Sequence, residues 1–285
     1  MRLRSYRRHE ADYGPYDADL GVVTSDGVRP LTRLSDFYGD PAGWQQRAAA
    51  CEAPPLSPGT FDLAPPVPPT AKLLCAAINY RSHGEETGFE PPKYPNLFAR
   101  WTACLSADGA EVPVPVDEHH GLDWEVELAV IVGRPLCNAD AKQAQAAILG
   151  YTVFNDISGR VNQGRANRQA KGQWALGKNG DASAAIGSDI VTDDAVDADN
   201  LRLGTRLNGE TVQDGNTRDM IFGIAEMLAF ASRGLTLQPG DLLATGTPAG
   251  VGVGRDPPRF MQPGDTVEAF VDGVGSVTSR IVAVE

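Results

Sequence analysis

The sequence contains no long apolar run. Hydrophobic residues make up 42% of its 285 positions, yet no stretch of them is long enough to span a lipid bilayer. The opening MRLRSYRRHE is basic, but no apolar segment follows it, so the pattern of a secretory signal is absent. We therefore expect a cytoplasmic protein that does not use a membrane.

Basic residues and cysteines are also scarce. Lys and Arg number 25 against 37 Asp and Glu, which gives a net charge of -12. Such a charge repels phosphate backbones, so we expect no nucleic-acid partner and favour a small molecule or a metal ion. The four cysteines form no C-x-x-C pair, which excludes a zinc knuckle and gives no sign of a disulfide framework.

Short strand-like runs dominate most of the chain. Two helices are predicted, ADAKQAQAAIL ending at Gly150 and a longer one from about Thr217 to Gly234. Since strands and helices do not alternate regularly, a doubly wound sheet is disfavoured and a β-rich α+β fold is predicted. The predicted strands are LLCAAI (73–78), VELAVIV (126–132), YTVFN (151–155), LRLGTRL (201–207), DLLATG (241–246), TVEAFV (266–271) and VGSVTSRIVAV (274–284).

Composition divides the chain into three ranges. Residues 1–52 contain the hairpin pattern LGVVTSDGVRPL around Asp26-Gly27, so they predict a small β-rich N-terminal domain. Residues 53–70 are too rich in proline for a helix or a central strand, and they predict an extended linker. The main domain would then comprise residues 71–285.

The stretch DWEVELAVIVG (123–133) places two glutamates inside an apolar strand pattern. Residues two apart share a face of a strand, so Glu125 and Glu127 point the same way while Trp124, Val126 and Leu128 line the other face. Two like charges beside a core cost stability unless a cation or a shared proton compensates them. E-x-E is also common on the solvated face of an antiparallel strand.

Asp156 ends the strand-like run YTVFND, and it could meet Glu125 and Glu127 if the two strands are neighbours. Three carboxylates without a histidine or cysteine form a site of hard oxygen ligands. Such a site suits Mg²⁺ or Mn²⁺, with Ca²⁺ as a further candidate, better than zinc.

His83 and Glu86 stand three residues apart in a loop-like stretch after an apolar strand. This spacing puts both side chains on one side of a helical turn, where the carboxylate can orient the imidazole and favour its charged form. The pair could act as a general base, although an exposed histidine with a chance neighbour has the same spacing. Further along, the basic stretch 159–172 could attract an anionic substrate or form a solvated loop.

Six blocks together resemble the fumarylacetoacetate hydrolase family over roughly residues 71–285. They are INYRSHGEE, DWEVELAVIVG, GYTVFNDIS, GQWALGK, NGETVQDGNTRDMIF and LQPGDLLATGTPAGVG, in the family's order. The resemblance implies a mixed β-sandwich roll, usually a homodimer, as the catalytic domain. It also implies Mg²⁺ or Mn²⁺ on an acidic triad and a small anionic oxo-acid substrate.

The resemblance assigns roles to nine residues. The implied metal ligands are Glu125, Glu127 and Asp156, and His83 with Glu86 matches a water-activating dyad. Lys178 matches a lysine that contacts the substrate, so His83, Glu86 and Lys178 are the predicted catalytic residues. The predicted substrate-binding residues are Arg160, Gln163 and Thr247.

The implied reaction is hydrolysis of a carbon–carbon bond in an acylpyruvate-type acid, with the metal stabilising an enolate. Decarboxylation of an oxaloacetate-type acid, enol isomerisation and dehydration are alternatives within the same family. A metal-binding scaffold that has lost turnover is a further alternative.

The chain departs from the family pattern near the predicted site. It has GKNGDASAAIGS where the family typically has GKSFDTF, which places small residues at Gly180 and Ala182, and Arg100 stands where a lysine is frequent. These changes predict an altered pocket wall, and they favour a specialised substrate over the ordinary ones.

Overall fold

Strands dominate the part of the chain that the structure describes, in agreement with the predicted β-rich pattern. The structure is a computed structural model that describes residues 1–14, 17–88, 90–165 and 172–284. Its strands are β1 Arg2–Arg8, β2 Asp19–Thr24, β3 Gly27–Arg33, β4 Phe61–Leu63, β5 Leu73–Ala77, β6 Asn96–Arg100, β7 Leu105–Ser106, β8 Ala110–Val114, β9 Val126–Val132, β10 Ile148–Asp156, β11 Ala184–Ile186, β12 Asp189–Thr192, β13 Arg202–Leu207, β14 Glu210–Asn216, β15 Leu242–Ala244, β16 Thr266–Val271 and β17 Gly275–Ala283.

The helices of the described residues are short. They are α1 Leu34–Gly39, α2 Pro41–Ala49, α3 Arg81–Thr87, α4 Ala141–Gln145, α5 Arg160–Gln163, α6 Trp174–Gly177 and α7 Ile224–Ser232. Short 3₁₀ turns occupy Thr102–Cys104, Asp193–Ala195, Ala198–Asn200, Thr217–Asp219 and Gly252–Gly254. Within the described ranges, none of the helices has the length and apolar character needed to pass through a lipid bilayer.

The strands form two mixed sheets, which confirms the predicted β-rich α+β class and its sandwich-like arrangement. The larger sheet has the order β3-β2-β1-β12-β10-β9-β15-β5-β6, with β4, β7 and β11 attached beside this path. The smaller sheet has the order β14-β13-β16-β17-β8. Parallel pairs such as β5 with β15 and β8 with β17 lie among the antiparallel ones.

Strand β9 lies at the centre of the fold because both of its faces are buried. Leu128 and Val130 pack into a core shared with residues of the smaller sheet such as Val267. Ala129 and Ile131 point to the other side, into a second core beneath the N-terminal strands. Burying each large aliphatic side chain contributes roughly 1.5–3 kcal/mol, so this double burial fixes the position of β9.

The N-terminal residues join the large sheet. Strands β2 and β3 form the hairpin predicted around Asp26-Gly27, and β1 pairs with both β2 and β12. Strand β4, inside the proline-rich range, pairs with the end of β1. These pairings show how the ranges 1–52, 53–70 and 71–285 are connected, while their division into domains stays a prediction.

Both predicted helices are shorter than the sequence pattern indicates. The first ends at Gln145 because Ile148 already begins β10, which pairs with β9 along most of its length. The second begins only at Ile224, after the 3₁₀ turn Thr217–Asp219. Asn79 explains the delay, because it hydrogen-bonds the backbone of Ile221 and Phe222 and keeps that segment out of the helix.

Candidate metal centre and cavity

The three carboxylates predicted to bind a metal meet inside the protein. Glu125 directly precedes β9, Glu127 lies within it, and Asp156 ends the neighbouring strand β10. Antiparallel pairing sets Phe154 opposite Glu127, which brings the end of β10 beside the start of β9. One oxygen from each carboxylate lies within 4.8 Å of the others, and all three residues are buried.

Protein cations compensate two of these carboxylates. Lys178 Nζ donates to Glu125 Oε2 at 2.8 Å and to Asp156 Oδ2 at 2.6 Å. Arg100 Nη1 donates to the other oxygen of Asp156, and Arg160 Nη2 donates to Glu125 Oε1, each at 2.5 Å. Charge-assisted contacts of this kind are stronger than neutral hydrogen bonds, so they hold both carboxylates in fixed orientations.

Glu127 has a different environment. The backbone N–H of Gly246 donates to its Oε2 at 2.7 Å, and no ion pair to Glu127 is found within the described ranges. Burial, Asp156 and Glu125 all act to raise the pKa of Glu127, which lies well above its ordinary value. Burial also acts to raise the pKa of Glu125, but Lys178 and Arg160 outweigh it and hold that pKa well below the ordinary value.

The donor set fits a divalent cation. Its ligands are carboxylate oxygens, which Mg²⁺ and Mn²⁺ prefer, and one of the carboxylates makes no ion pair with a lysine or arginine among the described residues. A metal ion in contact with Glu127 would remove the charge repulsion that raises the pKa of this residue. Glu125, Glu127 and Asp156 are therefore a fitting set of ligands.

His83 and Glu86 lie together on helix α3, as their spacing predicts. His83 Nδ1 lies 3.5 Å from Glu86 Oε2, and Glu86 Oε1 accepts from the backbone N–H of Gly250 at 3.0 Å. Burial alone would raise the pKa of Glu86, but the contacts with His83 and Gly250 lower it below its ordinary value. Glu86 is thus a charged group placed beside the imidazole of His83.

A cavity of about 560 Å³ brings most of the predicted residues together. Glu125 lies at its charged end, and its lining also includes His83, Lys178, Arg160, Gln163 and Thr247. Glu127 and Asp156 adjoin it through Glu125, and Glu86 adjoins it through His83. Six of the nine predicted residues line the cavity and the other three lie beside lining residues, while the roles assigned to all nine stay predictions.

Arg160 makes more protein contacts than a residue held ready for a substrate needs. Its Nε donates to Asp123 Oδ2 and its Nη1 to Gln163 Oε1, both at 2.8 Å, in addition to the bond to Glu125. The other basic residues of the stretch 159–172 do not line the cavity within the described residues. Arg165 pairs with the exposed Asp117, and Arg168 and Lys171 lie outside the described residues.

Two residues important to this arrangement are missing from the predicted set. Asp123 is fully buried and accepts from Arg160 and from the backbone N–H groups of Gly252 and Val253. Its position two residues before Glu125 is a signal that the sequence contains, because D-x-E-x-E continues the same-face alternation. Arg100 is also fully buried and donates to Asp156 and to the hydroxyl of Ser183, contacts that no local spacing indicates.

The fold and site define a class of protein, a mixed β-roll with a buried acidic metal centre beside a histidine–glutamate pair. The family model described as "Fumarylacetoacetate (FAA) hydrolase C-terminal" matches residues 72–282. The chain belongs to this family, which confirms the resemblance found in the sequence.

Relatives in the family differ in the reactions that their names describe. The human mitochondrial oxaloacetate tautomerase FAHD2A is 37% identical over 238 residues, which cover 83% of this chain and 74% of the relative. The crystal structure of 5-carboxymethyl-2-hydroxymuconate delta-isomerase from Mycobacterium smegmatis is 28% identical, with a TM-score of 0.78 and full coverage of both chains.

A third relative was solved with a metal ion. Fumarylpyruvate hydrolase from Pseudomonas aeruginosa, in complex with Mn²⁺ and pyruvate, is 27% identical. The match covers 76% of this chain and 91% of the relative, with a TM-score of 0.68. With the buried triad, this likeness supports a divalent metal here. The three names describe a tautomerase, an isomerase and a hydrolase, so membership of the family does not fix the reaction.

Proposed function

We propose that this protein is a divalent-metal-dependent tautomerase that interconverts the enol and keto forms of a small 2-oxo acid. The observation that carries the proposal is the shared cavity, where His83, oriented by Glu86, faces the same space as Glu125 and Lys178. A proton carrier and a site for an anionic oxygen pair are the two elements that this reaction needs.

Glu125, Glu127 and Asp156 would hold the metal, which is Mg²⁺ or Mn²⁺ in this proposal, with Ca²⁺ as a further candidate. A divalent cation in this position supplies positive charge that stabilises negative charge on the oxygens of the 2-oxo acid. Lys178 and Arg160 keep the carboxylate of Glu125 ionised and oriented. Arg100 and Lys178 each donate to one oxygen of Asp156 and orient that carboxylate.

In the proposed reaction His83 carries the proton. The O–H bond of the enol breaks, a C–H bond forms at the carbon beside the carbonyl, and no electrons are gained or lost. Glu86 stabilises the imidazolium that exists while His83 holds the proton, since its lowered pKa keeps it charged. The side chains of His83 and Glu86 are 13% and 18% exposed, so the pair has restricted contact with bulk water.

Tautomerisation is favoured over cleavage by the likeness to the human oxaloacetate tautomerase, which is 37% identical and matches most of this chain. Hydrolysis of an acylpyruvate is the second candidate, and the likeness to fumarylpyruvate hydrolase supports it. In that reaction His83 would take a proton from water instead of delivering one to carbon. Both candidates use the same residues, so product identification has to separate them.

The test gives purified protein the enol form of oxaloacetate, and separately acetylpyruvate, with Mn²⁺, with Mg²⁺ or with a chelator. We expect the enol absorbance of oxaloacetate to decay faster with metal than with chelator, without release of carbon dioxide. Acetate and pyruvate formed from acetylpyruvate would instead establish hydrolysis, and carbon dioxide above the metal-only background would establish decarboxylation. A His83→Ala variant that binds Mn²⁺ normally and retains full turnover would contradict the role of His83.

A further inference from the structure

Beyond its charged end, the cavity has an apolar wall. Strand β5 and the residue after it supply small and aliphatic side chains, β6 supplies Phe98, helix α6 supplies Trp174, and the 3₁₀ turn after β15 supplies Val253. The described apolar lining residues are Ala76, Ala77, Ile78, Phe98, Trp174 and Val253. Trp174 is 37% exposed and Val253 is 40% exposed, so both present uncovered apolar surface.

The two aromatic rings of this wall form one surface. The ring centroids of Phe98 and Trp174 lie 4.9 Å apart at an interplanar angle of 48°. Lys178 Nζ lies 5.5 Å from the centroid of Phe98, so this ring also marks the boundary between the charged end and the apolar wall. A planar or branched apolar group beyond the reacting atoms would therefore contact Phe98 and Trp174.

The cations of the cavity are already engaged by protein carboxylates. Lys178 donates to Glu125 and Asp156, and Arg160 donates to Asp123, Glu125 and Gln163. Among the described residues, no other lysine or arginine lines the cavity, and the remaining polar lining side chains are His83, which pairs with Glu86, and the uncharged Asn96, Gln163 and Thr247. A second carboxylate at the apolar end would lose its hydration without an unengaged lysine or arginine of the described residues to compensate its charge, which is costly.

We propose that the far end of the cavity binds an uncharged aromatic or branched apolar group. The substrate is then a 2-oxo acid with an apolar tail, of the arylpyruvate type, rather than a dicarboxylic acid such as oxaloacetate. This inference deepens the proposed function and rests on it for the placement of the 2-oxo acid end. Gly180 and Ala182, the small residues expected from the sequence to alter the pocket wall, are not among the lining residues of this cavity.

Two oxamates that differ only at the far end provide the test. N-benzyloxamate carries a phenyl group where N-oxalylglycine carries a carboxylate, and neither can enolise, so binding is measured without turnover. Titration calorimetry with the Mn²⁺-loaded protein should give N-benzyloxamate a dissociation constant about 10-fold or more below that of N-oxalylglycine, as expected for burying one aromatic ring. Equal affinities, or tighter binding of N-oxalylglycine, would overturn the inference.

Variants of two tryptophans test whether the apolar wall causes the preference for N-benzyloxamate over N-oxalylglycine. Trp174→Ala should reduce the affinity ratio between the two oxamates to about 3-fold or less, and Trp174→Phe should restore most of it because a ring is kept. Trp101→Ala is the matched control, since Trp101 is 57% exposed and is absent from the cavity lining. If Trp174→Ala binds Mn²⁺ normally and keeps the full ratio, Trp174 does not form the tail site.

A parallel assay separates this inference from the proposed reaction. The enol forms of phenylpyruvate and oxaloacetate are given to the same Mn²⁺-loaded protein, and kcat/KM should be about 10-fold or more higher for phenylpyruvate. If neither enol is converted while N-benzyloxamate still binds more tightly, the tautomerase proposal fails and the apolar tail site stands. If oxaloacetate is converted and N-oxalylglycine binds at least as tightly, the reaction stands and the tail site fails.

Discussion

Glu125 and Glu127 are two residues apart on the same face of the chain, yet their surroundings shift the pKa values of their carboxyl groups in opposite directions. Glu125 accepts hydrogen bonds from the charged side chains of Lys178 and Arg160, whereas Glu127 accepts one from the backbone N–H of Gly246. The pKa of the first is lowered and the pKa of the second is raised. This difference teaches that protein cations compensate only one of the two buried glutamate charges. A bound metal ion would compensate the other.

Replacing each glutamate by glutamine should separate their contributions to stability. Glu125→Gln leaves Lys178 and Arg160 with one fewer buried partner, so the free energy of unfolding of the metal-free protein should fall by about 3 kcal/mol. Glu127→Gln removes a carboxylate that makes no ion pair within the described ranges, so it should change stability by about 1 kcal/mol or less, or increase it. Urea unfolding in the presence of a chelator measures both, and equal losses would contradict the comparison.

Metal binding should make the carboxylate of Glu127 important for stability. Mn²⁺ at 100 times its dissociation constant should stabilise the wild-type protein by about 2.7 kcal/mol. Glu127→Gln should lose most of this gain, because it removes the carboxylate ligand that makes no ion pair among the described residues and whose charge a metal ion would compensate. Thermal unfolding with and without Mn²⁺ checks the effect, with Glu111→Gln at an exposed position as the control. Full retention of the Mn²⁺ gain would remove Glu127 from the ligand set.

The local parts of this arrangement could be predicted from the sequence. Alternation placed Glu125 and Glu127 on one face, and the i,i+3 spacing of His83 and Glu86 matches their positions on α3. The hairpin around Asp26-Gly27 followed from turn chemistry. In each case the decisive interaction lies within a few residues, where pattern and spacing are sufficient.

The contacts across the chain could not be predicted in the same way. Arg100 meets Asp156 across 56 residues, and Asp123 meets the backbone of Gly252 across 129. The start of α7 depends on Asn79, which lies more than 140 residues earlier in the sequence. Such partners are set by tertiary packing, so a pattern at either end does not identify the other. The homodimer, the oxo-acid substrate and the domain boundaries likewise stay predictions.

The opposite pKa shifts predict opposite responses to pH in the metal-free protein. The raised pKa of Glu127 means that its contribution is favourable below the ordinary glutamate value, about 4.3, and is lost as pH rises through the folded-state pKa. The lowered pKa of Glu125 means that its contribution is present above about 4.3 and is lost as pH falls. Each slope is at most about 1.4 kcal/mol per pH unit.

Unfolding between about pH 5 and 8 in chelator measures the first slope. The stability difference between Glu127→Gln and the wild type should shift in favour of the variant as pH rises. The Glu125→Gln variant should show its largest deficit at the upper end of this range. If the difference for Glu127→Gln is flat with pH, the pKa of Glu127 is not raised in the folded protein, and the contrast between the two glutamates does not extend to protonation.

The smallest effect concerns an ion pair of the same chemistry at the surface. Arg280 Nη2 lies 2.9 Å from Glu111 Oε1, a distance like that between Lys178 and Glu125, but the two side chains are 62% and 56% exposed. Water and salt screen such a pair, so Glu111→Gln should change the free energy of unfolding by about 0.5 kcal/mol or less. A change near that of Glu125→Gln would show that contact distance sets the energy. A small change alongside a large loss in Glu125→Gln would assign the difference to burial, because only the buried cations are left desolvated when their carboxylate is removed.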